Sequence, residues 1–189
     1  SGRGGFMKEL IGNYAAVNGI CILSLVILIH MAWHNVFFIR EMKKQFILSA
    51  CITITIILAE IASVIFENRA VTSDAFIFAA NIIGFSLSPF IAIVLSRAFS
   101  AEKGRTGALL TIPAWLNAAL VISSPWTGFI FSVRNGCYLR GPWYGVYIAA
   151  YLCSYAILIA QSLKAISLYQ CPSKSTFVML FVFAFTGTL

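Results

Sequence analysis

Long apolar runs separated by short polar segments dominate this chain. Their length and their lack of strict alternation favour helices over the strands of a membrane barrel. A last run stops after fourteen residues, short of the roughly 20 that a crossing helix needs. The pattern predicts an all-α, polytopic transmembrane helix bundle with five full spans and a partial sixth that is cut within the helix. The six runs lie at residues 15–33, 46–66, 75–95, 108–122, 143–163 and 176–189.

Composition supports an integral membrane protein. Hydrophobic residues make up 60% of the chain and charged residues 10%, and the mean hydropathy is +0.92, outside the range of soluble domains. Residues 1–6 precede Met7 and resemble a segment appended at cloning, so we exclude them from the functional interpretation. Residues 7–189 then form one membrane module, and the lipid bilayer is its first partner.

The cations alternate between the two ends of the predicted spans. Eight of the thirteen follow odd-numbered runs, namely Arg40, Lys43, Lys44, Arg97, Lys103, Arg105, Lys164 and Lys174. The positive-inside rule places these loops in the cytoplasm and the N-terminus outside. The sequence therefore predicts a multi-pass protein of a cell inner membrane or plasma membrane, and the net charge of +7 needs no nucleic-acid partner.

One connecting segment, residues 123–142, is long and rich in turn-forming residues. Its centre, Arg134-Asn135-Gly136, is a turn signal with apolar or aromatic residues on both sides. We predict a small hairpin or lid here, at the outer ends of the helices.

Glu60 is the only acidic residue inside a predicted span. Placing a carboxylate there costs roughly 3 kcal/mol on insertion scales unless it is protonated or partnered, so it should face the bundle interior or a wet cavity. Asn81 on the next span lies at about the same depth. Asn117, Tyr147 and Tyr151 are predicted to converge in the same half.

Two interpretations of these residues remain open. In the first, a small-molecule pocket opens to the outside, with Glu60 and Asn81 as polar anchors and Asn117, Tyr147 and Tyr151 around them. In the second, the polar side chains join helices by hydrogen bonds, an ordinary use of Asn and Ser in membranes.

Pro89 and Pro113 fall inside predicted spans, where the missing amide permits a kink, either as a hinge or as a packing feature. His30 and His34 have a spacing that suits metal ligation, but the sequence places no third ligand near them. No nucleophile with its base, phosphate loop or metal motif is recognisable. We expect no catalysis, cofactor or metal within this chain.

Several short patterns together resemble the seven-helix N-terminal sensor region of bacterial membrane diguanylate cyclases (GGDEF proteins) and related histidine kinases. The similarity covers residues 7–189, about the first six helices. It implies an input module that passes a signal through its last helix to a cytoplasmic GGDEF or kinase domain. The patterns are Leu58-Ala59-Glu60, Asn81 through Ser88-Pro89, Pro113-x-x-x-Asn117, Ser124-Pro125-Trp126-Thr127-Gly128 and Asn135-x-x-Tyr138-x-Arg140-Gly141-Pro142-Trp143.

Three functional hypotheses follow. The leading one is a homodimeric sensor that binds an unknown small-molecule or membrane-borne ligand. The second is a small-solute or proton-coupled transporter, because a lone intramembrane carboxylate can relay protons. The third is a module that only anchors and dimerises an output domain.

Overall fold

The part of the chain that the structure describes forms a helical bundle with one β-hairpin. The computed structural model describes residues 2–36, 39–67, 74–99, 109–134 and 136–169. The principal elements of these residues are α1 (Gly2–His34), α2 (Arg40–Glu67), α3 (Asp74–Phe99), α4 (Ile112–Thr127), β1 (Phe131–Arg134), β2 (Cys137–Arg140) and α5 (Tyr144–Tyr169).

Four helices of the described residues are long and apolar enough to cross a membrane: Gly12–His34, Arg40–Phe66, Asp74–Phe99 and Tyr144–Lys164. The predicted count of five full spans is not supported. α4 has 16 residues and is about 24 Å long, short of the roughly 30 Å of a hydrocarbon core. The predicted sixth span, residues 176–189, lies outside the described residues.

α3 is the central helix, in contact with α2, α4 and α5. α2 and α3 are antiparallel, since Phe66 stacks on Phe76 at 5.1 Å between ring centroids while Ser63 bonds Asn81 further along α3. α5 runs parallel to α3. Its first turns lie beside Phe85, and its later residue Leu158 packs near the end of α3.

Two apolar cores stabilise the bundle, one at each end. The hairpin-end core joins α3, α4 and the hairpin through Ile77, Val121, Ile130, Phe131 and Val133. The opposite core joins α1, α2, α3 and α5, and its buried members are Ala32, Phe46, Ala92, Leu95, Phe99 and Leu158. Between the cores, the helices carry polar side chains.

α4 begins and ends with recognisable signals. Pro113 is its second residue, where a missing backbone N–H has no intrahelical acceptor to lose. At the other end, Gly128 adopts a left-handed conformation, with φ of 66°, and its N–H donates to the Ser124 carbonyl at 2.7 Å. Pro113 therefore lies in the first turn of α4 and does not kink it.

The predicted hairpin is confirmed. β1 pairs antiparallel with β2, from Phe131 opposite Arg140 to Arg134 opposite Cys137. Gly136 in the turn has a φ of 73°, a backbone conformation that residues with a side chain rarely adopt. Its backbone N–H donates to Asp74 Oδ1 at 3.0 Å, which ties the hairpin turn to the first residue of α3.

Asp74→Ala is expected to loosen the turn, because the Gly136 amide loses its acceptor. A hydrogen bond from a backbone amide to a charged group contributes about 1.5–3 kcal/mol when it is well shielded. We expect faster hydrogen exchange of residues 134–138 by mass spectrometry, with helical segments unchanged. Asp74→Asn is the matched control, since it keeps an oxygen at this position and removes the charge. Equal exchange in wild type and Asp74→Ala would contradict the anchoring role.

Candidate functional site

Glu60 lies on an accessible face of α2, between the two apolar cores. Across the helix interface it meets Tyr14 of α1, whose hydroxyl lies beside the carboxylate. That hydroxyl is buried, and within the described residues it makes no hydrogen bond of regular geometry. Asn18 holds the same turn of α1 by donating from Nδ2 to the Tyr14 carbonyl at 3.1 Å.

α3 lies next to α2 at the level of this carboxylate. Asn81 Nδ2 donates to Ser63 Oγ of α2 at 3.1 Å, which sets the register of the two antiparallel helices. One turn further, Glu60 in α2 comes level with Gly84 in α3. A Cβ added to Gly84 would meet no atom within 4 Å, so there is open space at this point.

Tyr147 of α5 closes the opposite side. Its hydroxyl interacts with Ser88 of α3, and the Glu60 carboxylate is near enough to act on it electrostatically. Its ring lies 4.9 Å from that of Phe85 and 6.3 Å from that of Tyr151, measured between centroids.

These contacts outline one feature, which we call the polar cleft: Tyr14, Glu60, Gly84, Ser88 and Tyr147. It combines one carboxylate with aromatic rings and hydroxyl groups in the middle of apolar helices. Such a set of convergent polar groups among aromatic side chains is typical of small-molecule sites.

The two predicted asparagines make hydrogen bonds between helices. Asn81 uses Nδ2 twice, towards Ser63 Oγ and towards the Ile77 carbonyl at 2.8 Å. Asn117 is fully buried, and its Nδ2 donates to the Phe85 carbonyl of α3 at 2.9 Å. Both amide groups therefore fit the helix-joining interpretation, while a ligand role for them stays a prediction.

Pro89 explains why Asn117 points at that particular carbonyl. In an α-helix the carbonyl of residue i accepts from the amide of residue i+4, and proline has no amide hydrogen. Pro89 therefore leaves the Phe85 carbonyl without its helical partner, and Asn117 replaces it from α4. This contact, which we call the proline bridge, links α4 to the point where α3 lacks a helical hydrogen bond. The bonded carbonyl belongs to the residue that follows Gly84.

The hairpin reaches the polar cleft through a layer of aromatic rings. Phe85 lies 5.6 Å from Phe131 and 5.9 Å from Tyr138, in addition to its contact with Tyr147. Burial in this layer is the main cause that raises the pKa of Tyr138 to about 12. The neighbouring Tyr144 also acts to raise this pKa, whereas Arg140 acts to lower it. The Tyr138 hydroxyl therefore stays protonated at physiological pH.

His30 and His34 lie with their ring centroids 4.5 Å apart at the far end of α1. In the part of the chain that the structure describes, no group of three His, Cys, Asp or Glu side chains is placed to hold a metal ion.

The sequence pointed to Glu60 and Tyr147 but missed Tyr14 as their neighbour. Tyr14 lies 20 residues before the end of α1, and Glu60 lies 20 residues after the start of α2. In two antiparallel helices, residues equally far from the connecting segment lie at equal depth. This equal spacing could have identified Tyr14 as a neighbour of Glu60. Gly84 and Ser88 follow Asn81 by three and seven residues, on the same face of the helix, yet their place opposite α5 depended on tertiary packing.

Comparison with known proteins identifies no relative. No family model, no curated protein and no solved structure matches this chain.

Proposed function

We propose that this chain is a multi-pass, membrane-embedded signal-input module whose ligand site is the polar cleft. The observation that carries the proposal is the position of the cleft, beside a central helix that lacks one of its backbone hydrogen bonds at Pro89. A ligand in the cleft contacts α1, α2, α3 and α5 at once, so it can favour one helix arrangement over another by differential affinity.

The proline bridge supplies the element that would respond. A helix without one of its own hydrogen bonds bends more easily than an intact one. Here Asn117 of α4 supplies the hydrogen bond that the Phe85 carbonyl of α3 lacks. Movement of α4 against α3 would therefore change which group satisfies this carbonyl. In this proposal the hinge role belongs to Pro89, and the hairpin end of the bundle faces outward.

The opposite core favours a sensor over a carrier. A transport path from Glu60 towards that end of the bundle would need polar or wet surroundings. The opposite core joins α1, α2, α3 and α5, and the serines buried at this level, Ser49, Ser96 and Ser154, each donate their hydroxyl to a carbonyl of their own helix. This closed packing supports a ligand that binds and leaves on one side.

The output domain is proposed on the family resemblance alone. In that proposal the chain acts as a homodimer that regulates a cytoplasmic diguanylate cyclase, or a histidine kinase, in the full-length protein. A ligand-free anchor is the alternative in which the polar cleft has no role.

Glu60→Gln in the full-length protein is the test of this function. We expect the basal output, measured as cyclic di-GMP formation or autophosphorylation, to change by at least about five-fold, the lower range of allosteric coupling. Glu41→Gln is the matched control, because it removes the same charge at the far end of the same helix, where Glu41 pairs with Lys44 at 3.6 Å. Equal output from Glu60→Gln and wild type, at equal membrane levels, would refute the proposed function.

A further inference from the structure

We propose that the polar cleft binds an organic cation, a small ligand that carries a quaternary ammonium group. The inference rests on the proposed function in taking the cleft as the ligand site, and it adds the chemical class of the ligand. Charge, aromatic surface and the engagement of the nearby amide and serine donors each support it.

The charge of Glu60 has no counterpart among the described residues. The ion pair found among the described residues joins Lys44 to Glu41, at the end of α2 remote from Glu60. The Tyr14 hydroxyl lies beside the Glu60 carboxylate, and Tyr147 is near enough to interact with it electrostatically; a tyrosine side chain brings no positive charge. Since a charged carboxylate in a spanning helix is costly without a counter-charge, a bound cation is the ligand that relieves this cost most directly.

The walls of the cleft suit the same charge. Tyr147 is flanked by Phe85, Tyr144 and Tyr151, with centroid distances of 4.9, 5.5 and 6.3 Å. Aromatic faces attract ammonium groups through the ring quadrupole, and cages of such rings recognise quaternary ammonium ligands. Tyr14 adds a fourth aromatic side chain from α1, beside the carboxylate.

Two donors that an anionic ligand could use, the Asn81 amide and the Ser88 hydroxyl, are already engaged. Asn81 directs its amide group to Ser63 and to the Ile77 carbonyl. Ser88 Oγ donates to the Gly84 carbonyl at 2.7 Å. The cleft therefore offers acceptors and aromatic faces, and the open space at Gly84 provides room for a compact head group.

The test compares choline with its uncharged carbon isostere, 3,3-dimethylbutan-1-ol, on the whole chain in lipid nanodiscs. Both have the same shape, and only choline carries a positive charge. We expect choline to raise the thermal unfolding midpoint in a saturable manner and the isostere to leave it unchanged. Glu60→Gln is expected to weaken choline binding at least ten-fold, while Glu41→Gln leaves it unaltered.

A second pair of variants tests the location without changing charge. Gly84→Leu fills the open space in the cleft and is expected to abolish the choline effect. Gly19→Leu, at an exposed position with no atom within 4 Å of an added Cβ, is expected to preserve it. Because the test uses binding to the folded chain, loss of choline binding in Gly84→Leu counts only alongside a wild-type helical spectrum.

Absence of a choline effect, equal effects of choline and the isostere, or a choline effect that survives both Glu60→Gln and Gly84→Leu would each overturn the inference. None of these results refutes the proposed function, which is judged by the output of Glu60→Gln in the full-length protein. Conversely, choline binding at Glu60 with unaltered output would refute the function and leave the cation site standing.

Discussion

Gly141→Ala is expected to lower the free energy of unfolding by about 3 kcal/mol, the upper range for overpacking. Gly141 closes the base of the hairpin, where its N–H donates to the Ile130 carbonyl at 2.8 Å and the Trp143 N–H donates to the Phe129 carbonyl at 2.9 Å. An alanine Cβ would collide with the carbonyl oxygens of Phe129 and Gly128. Both are backbone atoms, so the two backbone segments at the base of the hairpin must separate.

Thermal unfolding in detergent, followed by tryptophan fluorescence, measures this loss. Trp126 and Trp143 flank the hairpin and report on its separation from the helices. Gly145→Ala is the control, because an added Cβ there meets no atom within 4 Å and the residue lies in the first turn of α5. It should match wild type or exceed it slightly. A Gly141→Ala protein as stable as the control would refute the close approach of the two backbone segments.

Asn117→Ala is expected to cost about 1–3 kcal/mol, the cost of leaving a buried polar group without a partner. The loss arises at the Phe85 carbonyl, which has no helical donor because of Pro89. Asn117 Oδ1 is itself buried without a partner among the described residues. Its removal relieves part of the cost, which places the expected value in the lower half of that range. Asn18→Ala is the control, since the Tyr14 carbonyl that Asn18 contacts also has a helical amide partner.

Pro89→Ala should reduce the cost of Asn117→Ala, because alanine restores an amide to the Phe85 carbonyl. A double-mutant cycle in detergent, with unfolding midpoints as the measurement, isolates this coupling. We expect the double mutant to be more stable than the sum of the two single changes predicts. Strict additivity would mean that the asparagine does not replace the missing helical bond.

The long helices were predictable because apolar runs of more than 18 residues need no tertiary information. The hairpin was predictable for a similar reason, since Asn135-Gly136 sets the turn locally. The start of α4 was not, because residues 108–111 are as apolar as the helix that follows. The late start of α4 is seen only in the tertiary structure. Near that start, Trp115 packs against Phe90, which lies nine residues before the end of α3.

The polar cleft was only partly predictable. Glu60 is conspicuous as a lone charge in an apolar run, whereas Tyr14 is one of seven tyrosines in a chain that is 14% aromatic. The proline bridge required the register of α3 against α4, which no local pattern in the sequence contains. Asn117 consequently looked like Asn81, although one replaces a missing backbone bond and the other joins α2 to α3.

Thiol labelling at position 84 tests the central claim, a polar cleft in the middle of the helices, most directly. Gly84→Cys and Ile83→Cys, in a protein whose native cysteines are replaced by serine, are exposed in nanodiscs to a water-soluble methanethiosulfonate. Reaction requires the thiolate, and therefore water. Ile83 is 39% exposed on an outward face of α3. We predict that Gly84→Cys reacts at least ten-fold faster than Ile83→Cys; equal, slow labelling of both would contradict the cleft.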